Sequence, residues 1–174
     1  NCFGENTTVT YTGNVTAGAT YDWTFDGGTI ASGSGQGPYE INWATSGNHT
    51  ISLQVTENGC SAGSTSMVVY NPPELITSIS TDDVDCASGS NGEVNVNASG
   101  GTGAYTYAWS DPAGPPFPAG SYSVSITDAN GCENIENFTI TEPNAITVTP
   151  SHTNLLCNGD NSGTASVNVS GGVT

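Results

Sequence analysis

An internal repeat constrains this chain more than any single motif. The segment Cys86–Gly101, CASGSNGEVNVNASGG, returns without gaps as Cys157–Gly172, CNGDNSGTASVNVSGG. Pro72 and Pro143 match at the same spacing, as do Leu75 and Ile146. One full repeat is therefore expected over residues 72–142. A second begins at Pro143 and is represented by its first part, 143–174. Residues 1–71 share only the repeat's closing pattern. Asn58-Gly59-Cys60 answers to Asn130-Gly131-Cys132, each after a β-rich run and each followed by a strand-like segment and a proline.

Inside these units the hydrophobic pattern has period two, and helix signals are absent. Val94, Val96 and Ala98 fall on one face, with Asn95 and Asn97 opposite. Tyr105, Tyr107 and Trp109 share a face, as do Tyr122, Val124 and Ile126, and likewise Ile41 and Trp43. Asp26-Gly27-Gly28, Gly100-Gly101-Thr102-Gly103 and Asn130-Gly131 punctuate the runs as turns. Short strands separated by Gly-rich turns predict an all-β fold of tandem Ig-like antiparallel β-sandwich modules. The junctions Asn71-Pro72-Pro73 and Glu142-Pro143 should be semi-rigid, because proline restricts its own φ and the residue before it.

Charge narrows both the means of stabilisation and the range of partners. The chain holds 16 acidic residues and no Lys or Arg, for a formal net charge of −16. Side-chain ion pairs would need a protonated His49 or His152, so burial, backbone ladders and covalent links must carry stability. Nucleic-acid binding requires cations to neutralise phosphates and is excluded on this ground. Anionic membrane surfaces are disfavoured likewise, and no apolar run is long enough to span a bilayer. The chain opens on Asn1 without Met and stops just after a Gly-Gly pair, which reads as part of a longer protein.

The cysteines are Cys2, Cys60, Cys86, Cys132 and Cys157. None forms a CxxC pair and neither His stands at zinc spacing, so a disulfide framework in an oxidising compartment is the expected use. One cysteine near the first strand and one after Asn-Gly recur in each unit. That pattern predicts the bonds Cys2–Cys60 and Cys86–Cys132, each closing one module, with Cys157 left unpaired. Loops of this length imply about 3–5 kcal/mol from each bond.

Two stretches resemble known families. Tyr21-Asp-Trp23-Thr-Phe-Asp-Gly27-Gly28-Thr-Ile30, with Ser32-Gly33, Ile41-Asn-Trp43 and Gly47, resembles a PKD-like (polycystic-kidney-disease) Ig-type domain, with Phe25-Asp26-Gly27-Gly28 departing from the commoner Phe-Gly-Asp-Gly. Cys86 to Pro143 is similar to the SprB-type repeat of Bacteroidetes gliding adhesins. The resemblance rests on the Cys, Asn91-Gly92, Ser99-Gly100-Gly101-Thr102-Gly103, Tyr105-Thr-Tyr107-Ala-Trp109-Ser110, Ala119-Gly120-Ser-Tyr122, Thr127-Asp128-Ala-Asn130-Gly131-Cys132 and Glu142-Pro143. In that alignment Phe117 takes the place of the Leu that plugs the sandwich end. The resemblance implies a secreted, surface-anchored adhesin or filament of gliding bacteria, exported by the type IX pathway.

Residue types that could carry chemistry do not assemble in sequence. A nucleophile needs a neighbouring base, yet His49 lies in a β-rich run and His152 in a polar linker. Asp82, Asp83 and Asp85, or Glu133 and Glu136, could form a carboxylate pair for glycoside chemistry, but in so acidic a chain such clusters mean solvation. No catalytic residue is assigned, and no cofactor is required. Calcium is the one cation with candidate ligands, at Asp82, Asp83, Asp85 and Asp128 near module junctions. Among the tryptophans, Trp23 and Trp109 read as core. Trp43 is the least certain of the three, against a glycan-binding alternative. Asn-x-Ser/Thr sequons stand at Asn6, Asn14, Asn48, Asn97, Asn137 and Asn168.

The expected role is a non-enzymatic stalk of an extracellular surface adhesin. Its partners would be neighbouring modules of the same chain, other copies in a filament, and glycans or surfaces. A carbohydrate-binding accessory module of a secreted hydrolase and a fibre completed by strand exchange are the alternatives.

Overall fold

The computed structural model describes residues 1–14 and 17–172, and these form strands and turns with no helix. The sequon Asn14-Val15-Thr16 extends outside the described residues. The expected all-β antiparallel fold is what the chain adopts.

Residues 1–71 build two sheets. Strands β1 (Thr7–Val9), β3 (Thr29–Ser32) and β4 (Tyr39–Asn42) form one, in the order β1-β4-β3. Strands β2 (Thr20–Thr24), β5 (Gly47–Glu57), β6 (Cys60–Ser61) and β7 (Thr65–Asn71) form the other, with β5 central. Alternation places Tyr39 and Ile41 of β4 opposite Ile51 of β5, and with Val9, Phe25 and Trp43 they make the core. The hairpin between β5 and β6 turns on two residues, Asn58 and Gly59, both at positive φ (50° and 78°). That is the type I′ geometry an Asn-Gly pair favours.

The tryptophans correct the expectation. Trp43 is fully inside at 2% exposure, where its indole N–H donates to the Phe25 carbonyl (2.8 Å) and its ring stacks on His49. Trp23 and Trp109 are only half-buried, and Tyr107 is exposed. Both Trp23 and Trp109 stand on strands at the edge of their sheets, where only part of each ring is covered. His49, in the β-rich run, is a buried sheet residue. His152 sits on a strand, not in a linker.

The repeat contributes β8 (Ile76–Asp82) and β9 (Glu93–Ser99) as one hairpin. Its other sheet is β10 (Thr106–Trp109), β11 (Gly120–Thr127) and β12 (Glu133–Ile140), in the order β10-β11-β12. Phe117 lies at 1% exposure among the rings of Trp109, Tyr122 and Phe138. It also forms an antiparallel bridge to Gly92 just before β9. The plug expected at this position is therefore in place. Strands β13 (Thr147–Thr153) and β14 (Thr164–Ser170) form the β8–β9 hairpin again in the second repeat, with every residue exposed.

By compactness the described residues fall into two units. The first comprises Asn1–Thr77, Ala98–Tyr107 and Ser125–Asn134. The second comprises Ser78–Asn97, Ala108–Val124 and Ile135–Thr174.

Candidate functional site

The two asparagine-glycine-cysteine motifs fold differently. After Glu57 the loop has two residues. After Asp128 it has three, Ala129-Asn130-Gly131, with only Gly131 at positive φ (86°). The three-residue form is a type I turn followed by a left-handed residue, and Asp128 makes it stable. One carboxylate oxygen accepts N–H bonds from Asn130 and Cys132 (2.9 Å each), and the other accepts from Thr102 (2.8 Å). Burial alone would push the Asp128 carboxyl up. The N–H groups of Cys132, Thr102, Asn130 and Gly131 outweigh that and hold it below the usual carboxylate range. The side chain is thus an internal clamp binding the hairpin to the Gly-Gly loop.

That clamp presents Cys132, and the structure bonds it to Cys2. The expected pairs Cys2–Cys60 and Cys86–Cys132 do not occur, and Cys60, Cys86 and Cys157 are exposed free thiols. Strand length explains the correction. The turn at Cys2 is held at one end of the first sandwich, because Asn42 Nδ2 donates to the Gly4 carbonyl (2.6 Å). Asn71 Nδ2 donates to the Trp43 and Thr45 carbonyls at that same end, where Asn71 pairs with Gly47. Cys60 pairs with Glu57 at the other end of β5. An eleven-residue strand spans about 35 Å, whereas a disulfide needs Cα atoms within about 7 Å. In the repeat, Cys132 precedes β12, whereas the Cys86 turn is tied to the residue pair following that strand, through Ser88 N–H to Glu142 (2.5 Å). Counting one pair per module carried no information about which end each cysteine occupies.

The aspartates expected to gather a cation are each engaged with protein donors or apart from the others. Asp83 accepts from the Thr141 hydroxyl (2.5 Å) and backbone N–H (2.7 Å), which hold it below the usual carboxylate range. Asp85 accepts from Asn91 Nδ2 (2.5 Å), and Asp82 ends β8 on the surface. Among the described residues no three His, Cys, Asp or Glu side chains come together to hold a metal ion. His49 is committed to Trp43 and to the Thr45 carbonyl (2.9 Å). A shallow groove over β11 and β12 is lined by hydroxyls, the Asn137 amide, Tyr122 and Phe138, with no carboxylate or imidazole. No helix among the described residues is long and apolar enough to cross a membrane.

What remains as a site is structural: the cradle around Cys2 and Cys132, lined also by Phe3, Pro73, Glu74, Leu75, Gly101 and Asn134. Fold and cradle together define a class, antiparallel β structure with a disulfide-stapled cluster of turns. The SprB repeat family model matches residues 78–114 and 149–174, two stretches whose starts stand as far apart as Cys86 and Cys157. The repeat is therefore of the SprB type over those stretches. No curated protein matches the chain.

Proposed function

We propose that this chain is a run of non-catalytic spacer modules in the stalk of a bacterial cell-surface adhesin, acting outside the cell. The observation that carries the reading is the twofold SprB-type match at the spacing of the internal repeat. A spacer needs copies that keep their shape, and the polar groups here are spent on turns and strand ends. Residues 1–71, with two facing sheets around Trp43 and Ile41, fit the PKD-like Ig-type reading of that segment. The absence of Lys and Arg gives an anionic exterior that repels its own copies along a chain and favours extension. Motility and type IX export belong to the gliding adhesins that the repeat resembles, and for this chain they are part of the proposal.

Antibodies raised against residues 1–174 test it on intact cells of the source organism. Labelling of unpermeabilised cells, and loss of attachment when the antibody is bound, are the expected results. Labelling only after permeabilisation would overturn the extracellular placement. Retention of the chain on insoluble polysaccharide, with release by soluble glycan, would favour the accessory-module alternative.

A further inference from the structure

The cradle that holds the Cys2–Cys132 bond occurs twice, and the second copy holds a free thiol. Three cysteines open the same turn. The carbonyl of Cys2 accepts from Glu5 N–H (3.2 Å), that of Cys86 from Gly89 (2.9 Å), and that of Cys157 from Asp160 (3.1 Å). In each turn the third residue has positive φ: Gly4 at 80°, Ser88 at 63°, Gly159 at 86°. Such a φ at the third position marks a type II turn, so the three cysteines are structural equivalents.

Their surroundings match as well. Around Cys2, Gly101 N–H donates to the Pro73 carbonyl (3.0 Å). Gly100 has φ of 75° and leaves no room for a Cβ, which would lie 1.9 Å from the Glu74 carbonyl oxygen. Around Cys86 the equivalent residues of the second repeat do the same, with Gly172 N–H donating to the Asn144 carbonyl (2.8 Å). Gly171, at φ 87°, sits with the same closeness, 2.1 Å, to the Ala145 carbonyl oxygen. Phe3, Pro73, Leu75 and Gly101 line the first cradle. Ala87, Asn144, Ile146 and Gly172 line the second, beside Cys86. The part of the first cradle without a counterpart is the segment that carries Cys132, with Glu133 and Asn134 after it. By the repeat spacing its counterpart belongs to sequence that would follow Thr174.

We infer that the cysteines obey an end-to-end rule: the turn cysteine of each module bonds the Asn-Gly-Cys cysteine of the next. Cys2–Cys132 is the first such bond, and Cys86 is the waiting half of the second, its occupant being the Asp-x-Asn-Gly-Cys hairpin of a following repeat. Pairing inside a module is barred, because Cys86 and Cys132 stand beyond opposite ends of β12. The bond forms from two thiols, which lose two protons and two electrons to one S–S bond. A small-molecule disulfide such as oxidised glutathione takes the electrons and is reduced to two thiols. The rule is independent of what the stalk attaches to, and it turns a string of modules into a covalently braced one.

The test extends the full chain. A second copy of residues 104–142 is appended after Thr174, which completes the repeat and supplies a second copy of Cys132. The product is oxidised with a glutathione redox pair and digested, without reduction, by proteases that cut at Asp and Glu. Mass spectrometry then reads the cross-linked peptides. The expected result is Cys2–Cys132 together with a bond from Cys86 to the appended cysteine, leaving Cys60 and Cys157 alkylatable. In the Cys86→Ser variant of the extended chain the appended cysteine should be free. A bond from Cys157 to the appended cysteine, or a free Cys86 in molecules that have formed Cys2–Cys132, overturns the rule. Absence of Cys2–Cys132 overturns it as well, since that bond is its founding case.

Discussion

Replacing Phe117 by alanine probes whether the repeat is held by one aromatic centre. The ring is 1% exposed and packs against Tyr122 at 4.5 Å, Phe138 at 5.5 Å and Trp109 at 5.6 Å between centroids. Burying a phenylalanine is worth about 1.5–3 kcal/mol by transfer. The cavity left among three rings raises the cost of Phe117→Ala to about 3–5 kcal/mol. For a unit of this size each kcal/mol moves the midpoint by about 4–8 °C, so a drop of more than about 10 °C is expected. Phe117→Leu keeps most of the volume and should cost under about 1.5 kcal/mol. Urea unfolding followed by tryptophan fluorescence measures both, with Trp109 reporting from the affected cluster. A loss below about 1 kcal/mol for the alanine variant, well under the range for a buried ring, would refute the packing argument.

Three further outcomes follow from named contacts. Trp43→Ala should destabilise the first sandwich by about 3–5 kcal/mol and Trp23→Ala by clearly less, as thermal unfolding of the two variants will show. Asp128 has a folded-state pKa below its unfolded value. Its stabilising contribution is therefore complete above the usual carboxylate range and is lost as pH falls through the folded value. Asp128→Asn should accordingly be destabilised near neutrality, with the gap to the parent closing in acid, as read from denaturation midpoints across a pH series. Cys2→Ser removes a link across a sequence separation of 130 and should lower stability by up to about 5 kcal/mol. Reductant should reproduce that loss in the parent and add nothing in the variant.

The β character and the strand faces were legible because period-two alternation and Gly-rich turns are local signals. Val94, Val96 and Ala98 do share the better-covered face of β9, and Asn58-Gly59 does make the hairpin its composition favours. The repeat was legible for a different reason: self-comparison needs no knowledge of the fold. Burial of the tryptophans was not. Whether an alternating face is covered depends on whether its strand is central or at an edge, and that depends on pairings many residues away. The disulfide failed on the same ground. Cys2 and Cys60 look alike as members of one module, but an eleven-residue β5 keeps them apart. The signal that could have found the real bond was present. The first cysteine of each unit is followed two residues later by Gly4, Ser88 or Gly159, which marks a turn, whereas the last follows Asn-Gly directly. Two cysteine classes, each at its own kind of turn, leave room for a link between modules.

The Asp128 clamp was hidden because its partners are backbone N–H groups, which sequence does not distinguish. Acidity is what suggests cation binding in this chain, yet Asp83, Asp85 and Asp128 each satisfy protein donors. Thr127-Asp128-Ala-Asn130-Gly131 carried the clue, since aspartate two residues before the N–H it accepts is the Asx-turn arrangement.

That the modules are spacers is tested most directly by particle length against copy number. Proteins carrying residues 1–71 followed by two, four or eight copies of residues 72–142 can be imaged by electron microscopy after rotary shadowing. Strands of seven or eight residues span about 25 Å, so each added copy should lengthen the particle by a constant increment of roughly that size. Particles whose length stays constant while their diameter grows with copy number would contradict the spacer role.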